Sequence, residues 1–333
     1  NDFTELESIL EEALASGLPE QMLGWHYRSR HEALIEFSNQ NYYENRLNVF
    51  PAARGRVADL GVKFHLVANG FYESGRSRTN PREAQVLVDA LMELLRTTPP
   101  TERSFGVVTF SVAQQELVEN LLDEARRKYR EIEPHFADDH PNFEKVFVKN
   151  LENVQGDERD EIFFSIAYGS DEHGKMLMNF GPLNRDGGER RLNVAVTRAR
   201  KQLRVFSSIS AEKIDTSRTR AIGARHLKSF LRFAAERSAS SMARADEMSG
   251  DFDSDFERDV FDVLRANGYR VDTQVGCGAY RIDLAVVHPE EGGVYAIGIE
   301  CDGAAYHSGA NARDRDRLRQ EVLEGLGWRL HRI

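Results

Sequence analysis

The sequence predicts an α/β protein in which a parallel-sheet domain is followed by a smaller α/β domain. Up to about residue 235, apolar runs of strand length alternate with amphipathic helical stretches, which is typical of a parallel sheet with helices on both faces. Residues 236–254 are rich in Ser, Ala and Asp and have no steady apolar period, which is typical of a linker. Strand and helical patterns then resume as far as residue 333. We therefore predict domains at 1–235 and 255–333 with a linker between them.

The strands of the first domain are predicted at five short apolar runs, over residues 62–67, 105–110, 146–148, 162–167 and 203–206. Helices are predicted between them over 81–95 and 112–128. The first of these helices has a clear start, because Asn80 can cap it, Pro81 fits its first turn and Glu83 follows at the third helical position.

The second domain is predicted to follow the order α-β-β-β-α-β. A helix over 255–267 opens it, and the later elements are predicted over 270–275, 281–287, 294–300, 313–326 and 328–333. Helices and strands in this order indicate a compact α/β unit with a sheet of its own.

Composition is ordinary for a soluble protein with two hydrophobic cores, since 41% of the 333 residues are hydrophobic and 29% are charged. No run of about 18 apolar residues occurs, so we expect no membrane span. The two cysteines, Cys277 and Cys301, cannot form a structural zinc site by themselves. They favour a reducing compartment over secretion, so we expect a cytoplasmic protein.

The charge pattern leaves nucleic-acid binding open. The net charge of −10 lacks the basic excess of many nucleic-acid-binding proteins. Local basic clusters nevertheless occur at 126–130, 190–191, 198–201 and 313–319. Taken alone, each cluster is explained either as a solvated helix face or as a track for phosphates.

Three short motifs carry more information together than they do singly. They are Trp25-His26-Tyr27-Arg28-Ser29, then Val154-Gln155-Gly156-Asp157-Glu158-Arg159-Asp160, then Arg191-Leu192-Asn193-Val194-Ala195-Val196-Thr197-Arg198-Ala199-Arg200. Each alone is explained by an ordinary turn or by surface charges. In this order they closely resemble the second RecA-like domain of superfamily 1 helicases, in the branch of the nonsense-mediated-decay and DNA-replication helicases. The resemblance covers roughly residues 20–210.

This resemblance implies an ATP-binding set made of Tyr27, Arg28, Gln155, Gly156, Glu158 and Arg198. Arg28 and Arg198 are expected to reach the γ-phosphate across an interdomain cleft. A planar, permanently charged guanidinium there neutralises charge on the transferred phosphoryl group. The same resemblance assigns the other positions to the base (Tyr27), the phosphate side (Gln155 and Gly156) and the ribose (Glu158).

ATP hydrolysis also needs a phosphate loop and a Mg-binding acidic strand, and the sequence contains no clear form of either. Residues 70–77 imitate the spacing of the loop, but Arg76 stands where Lys is required and the next predicted helix begins only at Pro81. The chain also begins without Met at Asn1 and stops at Ile333 inside a predicted strand. We expect an excerpt of a longer protein whose first RecA-like lobe precedes Asn1 and completes the ATP site.

Acidic residues within apolar runs predict a metal site in the second domain. Asp283 lies inside one run, and Glu300 and Asp302 lie one residue apart at the end of the next. Strands disfavour Asp, so three acids at these places indicate a divalent cation held by oxygen ligands.

Residues 254–333 resemble the PD-(D/E)XK nuclease superfamily, and within it the very-short-patch-repair-like branch. The resemblance implies that Asp283, Glu300 and Asp302 hold Mg²⁺ or Mn²⁺, and it adds Glu257 and His307 as catalytic candidates. Asp302 replaces the Lys that usually follows the Glu by two residues, a form that occurs in that branch. Basic residues at helical spacing are expected to hold the DNA backbone: Arg313, Arg315 and Arg317.

Three functions follow from these patterns. The first is a helicase-nuclease that acts on single- or double-stranded DNA with ATP and Mg²⁺. The second is a translocase whose nuclease-like tail is inactive and only binds DNA, and the third is a protein scaffold. The intact pair Arg28 and Arg198 argues against the scaffold, since a scaffold has no use for two arginines at an empty cleft. The expected partners are DNA, ATP and the first lobe of the same longer chain, without a membrane.

Overall fold

The computed structural model describes residues 9–22, 24–54, 60–138, 143–243, 252–276, 280–291, 293–301 and 310–333. The helices of the first part are α1 (Ile9–Ala15), α2 (Ala33–Tyr42), α3 (Pro81–Thr97), α4 (Val112–Lys128), α5 (Gly188–Val196) and α6 (Ile222–Ala243). Its strands are β1 (Trp25–His26), β2 (Asn48–Val49), β3 (Gly61–Leu66), β4 (Phe105–Thr109), β5 (Phe147–Asn150), β6 (Arg159–Ser165) and β7 (Ala199–Ser207). The second part contains α7 (Asp255–Ala266), β8 (Val271–Val275), β9 (Ile282–Val287), β10 (Tyr295–Glu300), α8 (Ala310–Gly325) and β11 (Leu330–Arg332).

The main sheet is parallel throughout, in the order β3-β7-β6-β4-β5. Its faces are covered by different hydrophobic clusters, because successive side chains of a strand point to opposite sides. On β6, Ile162 and Phe164 belong to one cluster together with residues of α5 and α6, whereas Phe163 joins residues of α3 and α4 in the other. The predicted parallel sheet with helices on both faces is confirmed.

Local sequence patterns correctly predicted the positions of most of these helices and strands. Helix α3 begins at Pro81, and the side chain of Asn80 accepts a hydrogen bond from the backbone N–H of Glu83 at 3.1 Å, as predicted. The short parallel pair β1 and β2 and helix α2 between them were not predicted. Helix α6 continues to Ala243, into the segment that we predicted as a linker. The domain boundaries themselves stay a prediction.

The second part forms a four-stranded mixed sheet in the order β11-β10-β9-β8. Strand β9 runs antiparallel to both of its neighbours, β8 and β10, and β11 pairs parallel with β10 after α8. The predicted order α-β-β-β-α-β is therefore confirmed. Among the residues that the structure describes, no helix combines the length and the hydrophobicity that crossing a bilayer requires.

Residues 50–53, which follow β2, contribute to the core of the second part. Phe50 and Ala53 are 5% and 1% exposed, and they cluster with Tyr280, Ile282 and Trp328. Two hydrogen bonds cross the same contact. The indole N–H of Trp328 donates to the carbonyl of Pro51 at 2.9 Å, and the backbone N–H of Tyr295 donates to the carbonyl of Ala53 at 2.9 Å. Close apolar packing with paired hydrogen bonds fixes the two parts to each other here.

A buried carboxyl group ties helix α3 to the carboxyl ends of β6 and β7. Glu83 is fully buried and accepts hydrogen bonds from the hydroxyl of Ser165 at 2.7 Å and from the backbone N–H groups of Ala167 at 2.7 Å and Ser208 at 3.1 Å. Burial raises the pKa of Glu83 to about 7. The hydrogen bonds from the three donors favour the ionised form and so oppose this rise. Glu83 thus satisfies two backbone groups that would otherwise be buried without a partner.

We expect Glu83→Ala to lower the free energy of unfolding by roughly 2–4 kcal/mol, because it leaves two buried N–H groups unpaired and opens a cavity. Urea unfolding followed by circular dichroism measures the change. Glu93→Ala, on an exposed turn of the same helix, is the matched control and is expected to change stability by about 0.5 kcal/mol or less. Equal stabilities of the two variants would refute this role for Glu83.

Candidate nucleotide and metal sites

The amino-terminal edge of the main sheet brings the predicted ATP-site arginines together. Because β6 and β7 are parallel neighbours paired at Arg159 and Ala199, the residues just before them, Glu158 and Arg198, lie at one edge. Arg28 follows β1 and reaches this edge from a distant part of the sequence. Its Nε lies 2.6 Å from Oε2 of Glu158, and its Nη1 donates to the carbonyl of Thr197 at 3.2 Å.

Arg198 is held in place by the end of helix α5. Its Nε donates to the carbonyl of Val194 at 2.7 Å, and its Nη2 donates to the hydroxyl of Thr197 at 3.1 Å. Burial, followed by the neighbouring charge of Arg28, lowers the pKa of Arg198 from its ordinary value, although a guanidinium remains charged in a protein. Two cations therefore share one small region, and this arrangement is suited to an anionic ligand.

The remaining predicted ATP residues lie next to Arg28 or shortly before Glu158 in the sequence. Tyr27 is 62% exposed, and its ring lies 6.2 Å from the ring of Phe50, so much of the side chain is accessible from solvent. Gln155 is exposed, and Gly156 adopts a left-handed backbone with φ of +88°. A β carbon at Gly156 would meet no atom within 4 Å, so the turn opens to space that a ligand can enter. The roles assigned to Tyr27, Gln155, Gly156 and Glu158 stay predictions.

Two residues of this edge were present in the motifs but were not predicted as site residues. Arg200 donates to Glu158 at 3.3 Å and to Asp160 at 3.1 Å, and so holds the carboxylate that faces Arg28. His26 accepts a hydrogen bond from the backbone N–H of Ser29 at 3.2 Å. The pKa of His26 is lowered from 6.5 to about 4, chiefly by burial and then by the positive charges of Arg28 and Arg198. Because the ring stays neutral, the site does not gain a third positive charge. The lowered pKa depends on which residues lie near His26 in space, and sequence spacing does not reveal this.

In the second part, strand register brings two of the predicted metal ligands side by side. Strands β9 and β10 pair antiparallel with Leu284 opposite Ile299, and continuing that register sets Asp283 opposite Glu300. Directly opposite residues project to the same face with β carbons about 5 Å apart. Two oxygen ligands in such a pair suit a hard cation such as Mg²⁺.

Both carboxylates have partners within the chain. Oδ2 of Asp283 accepts a hydrogen bond from the backbone N–H of Cys301 at 2.7 Å. Glu300 is 8% exposed; one oxygen accepts from the hydroxyl of Tyr280, and the other lies 3.0 Å from Nε of Arg332. Carboxylate oxygens held in place by hydrogen-bond donors are the ligands that a hard divalent cation takes in proteins. The pair therefore fits a divalent cation.

The structure describes few of the other residues predicted for this metal and DNA site. Asp302 and His307 lie outside the described residues, as do the side chains of Arg313 and Arg315. Arg317 is exposed and pairs with Glu321 at 3.2 Å. Within the described ranges, no group of three or more His, Cys, Asp or Glu side chains is assembled for a metal.

Glu257 has the contacts of a helix cap. Its backbone N–H donates to the hydroxyl of Ser254 at 3.1 Å, and its carboxylate accepts from that hydroxyl, from the N–H of Asp253 and from the amide of Gln274. These contacts form a variant of the capping box at the start of α7, in which the carboxylate accepts from the N–H of Asp253 rather than from that of the N-cap Ser254, and they account for the burial of Glu257. A catalytic role for Glu257 stays a prediction.

Comparisons with known proteins assign each part of the chain to a family. Residues 6–210 match the family AAA_12, described as an AAA domain, and residues 256–333 match the family REase_MTES_1575. The uncharacterized ATP-dependent helicase MG140 of Mycoplasma genitalium is 32% identical over 270 residues, which cover 78% of this chain and 23% of the relative. Its homolog in Mycoplasma pneumoniae is 28% identical over 328 residues, which cover 94% of this chain and 28% of the relative. The chain thus spans about a quarter of the length of these curated relatives. The comparisons therefore confirm a helicase-like domain in the first part and a restriction-endonuclease-like domain in the second part, as the sequence resemblances predicted.

We expect the free energy of unfolding to fall as the pH is lowered from about 6.5 to about 4, and His26→Gln to reduce that fall. In this window the unfolded chain binds a proton at His26 and the folded chain does not, so acid favours unfolding, by up to about 3 kcal/mol. Urea unfolding at a series of pH values measures the slope. His173→Gln, at a side chain that is 82% exposed, is the control and should retain the wild-type slope. A slope in His26→Gln equal to that of the wild type would contradict the prediction.

Proposed function

Because this chain belongs to the AAA domain family and carries a restriction-endonuclease-like domain over residues 256–333, we propose that it works within an ATP-dependent DNA helicase-nuclease. In this proposal the first part is the second motor lobe, and ATP binds between it and a first lobe supplied by the longer protein. The second part cleaves DNA phosphodiesters with Mg²⁺ or Mn²⁺.

The observation that carries the motor function is the meeting of Arg28, Arg198 and Glu158 at one edge of the sheet. Arg28 and Glu158 each have side chains that are 34% exposed, so a ligand approaching from solvent can reach them. A phosphate at this edge competes with Glu158 for Arg28. Arg198 then adds its charge as negative charge moves onto the bridging oxygen of the departing nucleotide.

The nuclease function is supported by the opposition of Asp283 and Glu300. These two residues would hold the cation, with Asp302 as the third ligand of the proposal. When bound, Mg²⁺ supplies a Lewis acid and an activated water for attack on phosphorus. The backbone N–H of Cys301 orients Asp283, and Tyr280 and Arg332 orient Glu300. The proposed DNA contacts are Arg313, Arg315 and Arg317 on α8, and the proposed proton-transfer group is His307.

We expect Arg28→Ala and Arg198→Ala each to lower the ATPase kcat of the longer protein by roughly 10³-fold or more, because an arginine at the transferred phosphoryl group contributes about that much. A coupled ATPase assay with excess single-stranded DNA measures the rate. Arg127→Ala, at an exposed arginine of α4, is the matched control and should retain the wild-type rate. Unchanged rates in both site variants would favour the scaffold function instead.

We expect this chain to cleave supercoiled plasmid or labelled single-stranded DNA in Mg²⁺ or Mn²⁺, and Asp283→Asn to abolish the cleavage. The substitution keeps the side-chain volume but removes the charge that a hard cation requires. Asp262→Asn, at an exposed position of α7, controls for the loss of one negative charge. If the longer protein with ATP also leaves DNA intact but still binds it, the tail is a passive DNA-binding domain, and the nuclease proposal fails.

A further inference from the structure

Tyr280 stands between the proposed metal ligand Glu300 and an aromatic cluster of the first part of the chain. Its hydroxyl donates to Glu300, and its ring lies 5.5 Å from the ring of Phe50 at an interplanar angle of 61°. Phe50 in turn stacks on Trp25, with centroids 4.7 Å apart. A continuous set of contacts therefore runs from strand β1 to the carboxylate of Glu300.

The position of Tyr280 depends on contacts from both parts. Tyr280 is 8% exposed, Phe50 meets its ring in an edge contact, and the guanidinium of Arg319 lies 5.0 Å from the ring centroid. Residues 50–53 cannot shift freely, because the carbonyls of Pro51 and Ala53 accept hydrogen bonds from Trp328 and Tyr295. The aromatic ring of Tyr280 is thus held partly by Phe50 of the first part and partly by residues of the second part.

A hydrogen bond to a ligating carboxylate fixes which of its lone pairs face the metal. Such outer-shell partners typically change metal affinity by about 10- to 100-fold when they are removed. Glu300 has two such partners, Tyr280 on one oxygen and Arg332 on the other. Arg332 is on the neighbouring strand β11, whereas Tyr280 links the carboxylate to the other part of the chain.

We propose that Tyr280 and Phe50 are positioning residues for Glu300, so that the motor lobe completes the metal site of the nuclease-like domain. This proposal rests on the proposed nuclease function and adds a dependence of that site on the first part of the chain. Neither residue is assigned a contact with DNA or with the reacting atoms. Their effect is on the orientation of the Glu300 carboxylate, and it is measurable as divalent-cation affinity without any cleavage.

The test is isothermal titration of this chain with Mn²⁺ in the absence of DNA. We expect Tyr280→Phe, which keeps the ring and removes the hydroxyl, to raise the Mn²⁺ dissociation constant by about 10- to 100-fold. Tyr269→Phe is the matched control, since Tyr269 lies in the same part of the chain, is 54% exposed and loses the same hydroxyl. The control should bind Mn²⁺ as the wild type does.

The second arm tests the contribution of the motor lobe. We expect Phe50→Leu, which keeps an apolar side chain but removes the ring against Tyr280, to weaken Mn²⁺ binding roughly two- to thirtyfold. Phe71→Ala, at a 37% exposed ring of the same lobe, is the control. Circular dichroism melts establish that each variant is folded before it is titrated.

The outcomes separate this inference from the function on which it rests. If the wild type shows no Mn²⁺ binding that depends on Asp283, the proposed nuclease site itself is refuted. If the wild type binds Mn²⁺ and a folded Tyr280→Phe or Phe50→Leu variant binds it with unchanged affinity, the metal site stands and the positioning role is overturned.

Discussion

The contact on which the arrangement of this molecule depends is the burial of residues 50–53 against the second part of the chain. Strand β2, which leads into this segment, pairs with β1, and β1 runs directly into Tyr27 and Arg28. Side chains alternate along that extended stretch. Trp25 and Tyr27 lie against Phe50, whereas His26 and Arg28 lie near Arg198. One short segment therefore has an aromatic side that faces the nuclease-like domain and a charged side that faces the candidate ATP site.

The charged edge of the sheet is stabilised by a network in which positive and negative side chains share partners, rather than by isolated ion pairs. Exposed pairs contribute little, but Glu158 is shared between Arg28 and Arg200, and Arg200 also binds Asp160. A shared carboxylate fixes several long side chains at a lower entropic cost for each pair. Arg28 is consequently held in position before any ligand arrives, which is the condition for effective electrostatic stabilisation of a charged transition state.

The fold was predictable where local signals are strong. Alternating strands and helices gave the parallel sheet, and Asn80 with Pro81 gave the start of α3, because caps and periodicity are encoded within a few residues. Strands β1 and β2 escaped prediction because each is only two residues long and is defined by its pairing. The candidate site divided in the same way. Arg28, Arg198, Asp283 and Glu300 were identified from motifs. The contacts of Arg200 and Tyr280, and the effect of Arg198 on His26, join residues that are far apart in sequence. No local pattern places Phe50 against Tyr280 across more than two hundred residues.

The same long-range contact also affects how the chain is made. Synthesis proceeds from the N-terminal end, and domains generally fold as they emerge. Phe50 and Ala53 are translated long before Trp328, whose indole N–H binds the carbonyl of Pro51. Until Trp328 has emerged from the ribosome, Phe50 and Ala53 in the first part of the chain lack side chains that bury them. The timing of translation therefore sets when this apolar segment becomes buried, and apolar surface that is exposed until then favours aggregation during synthesis.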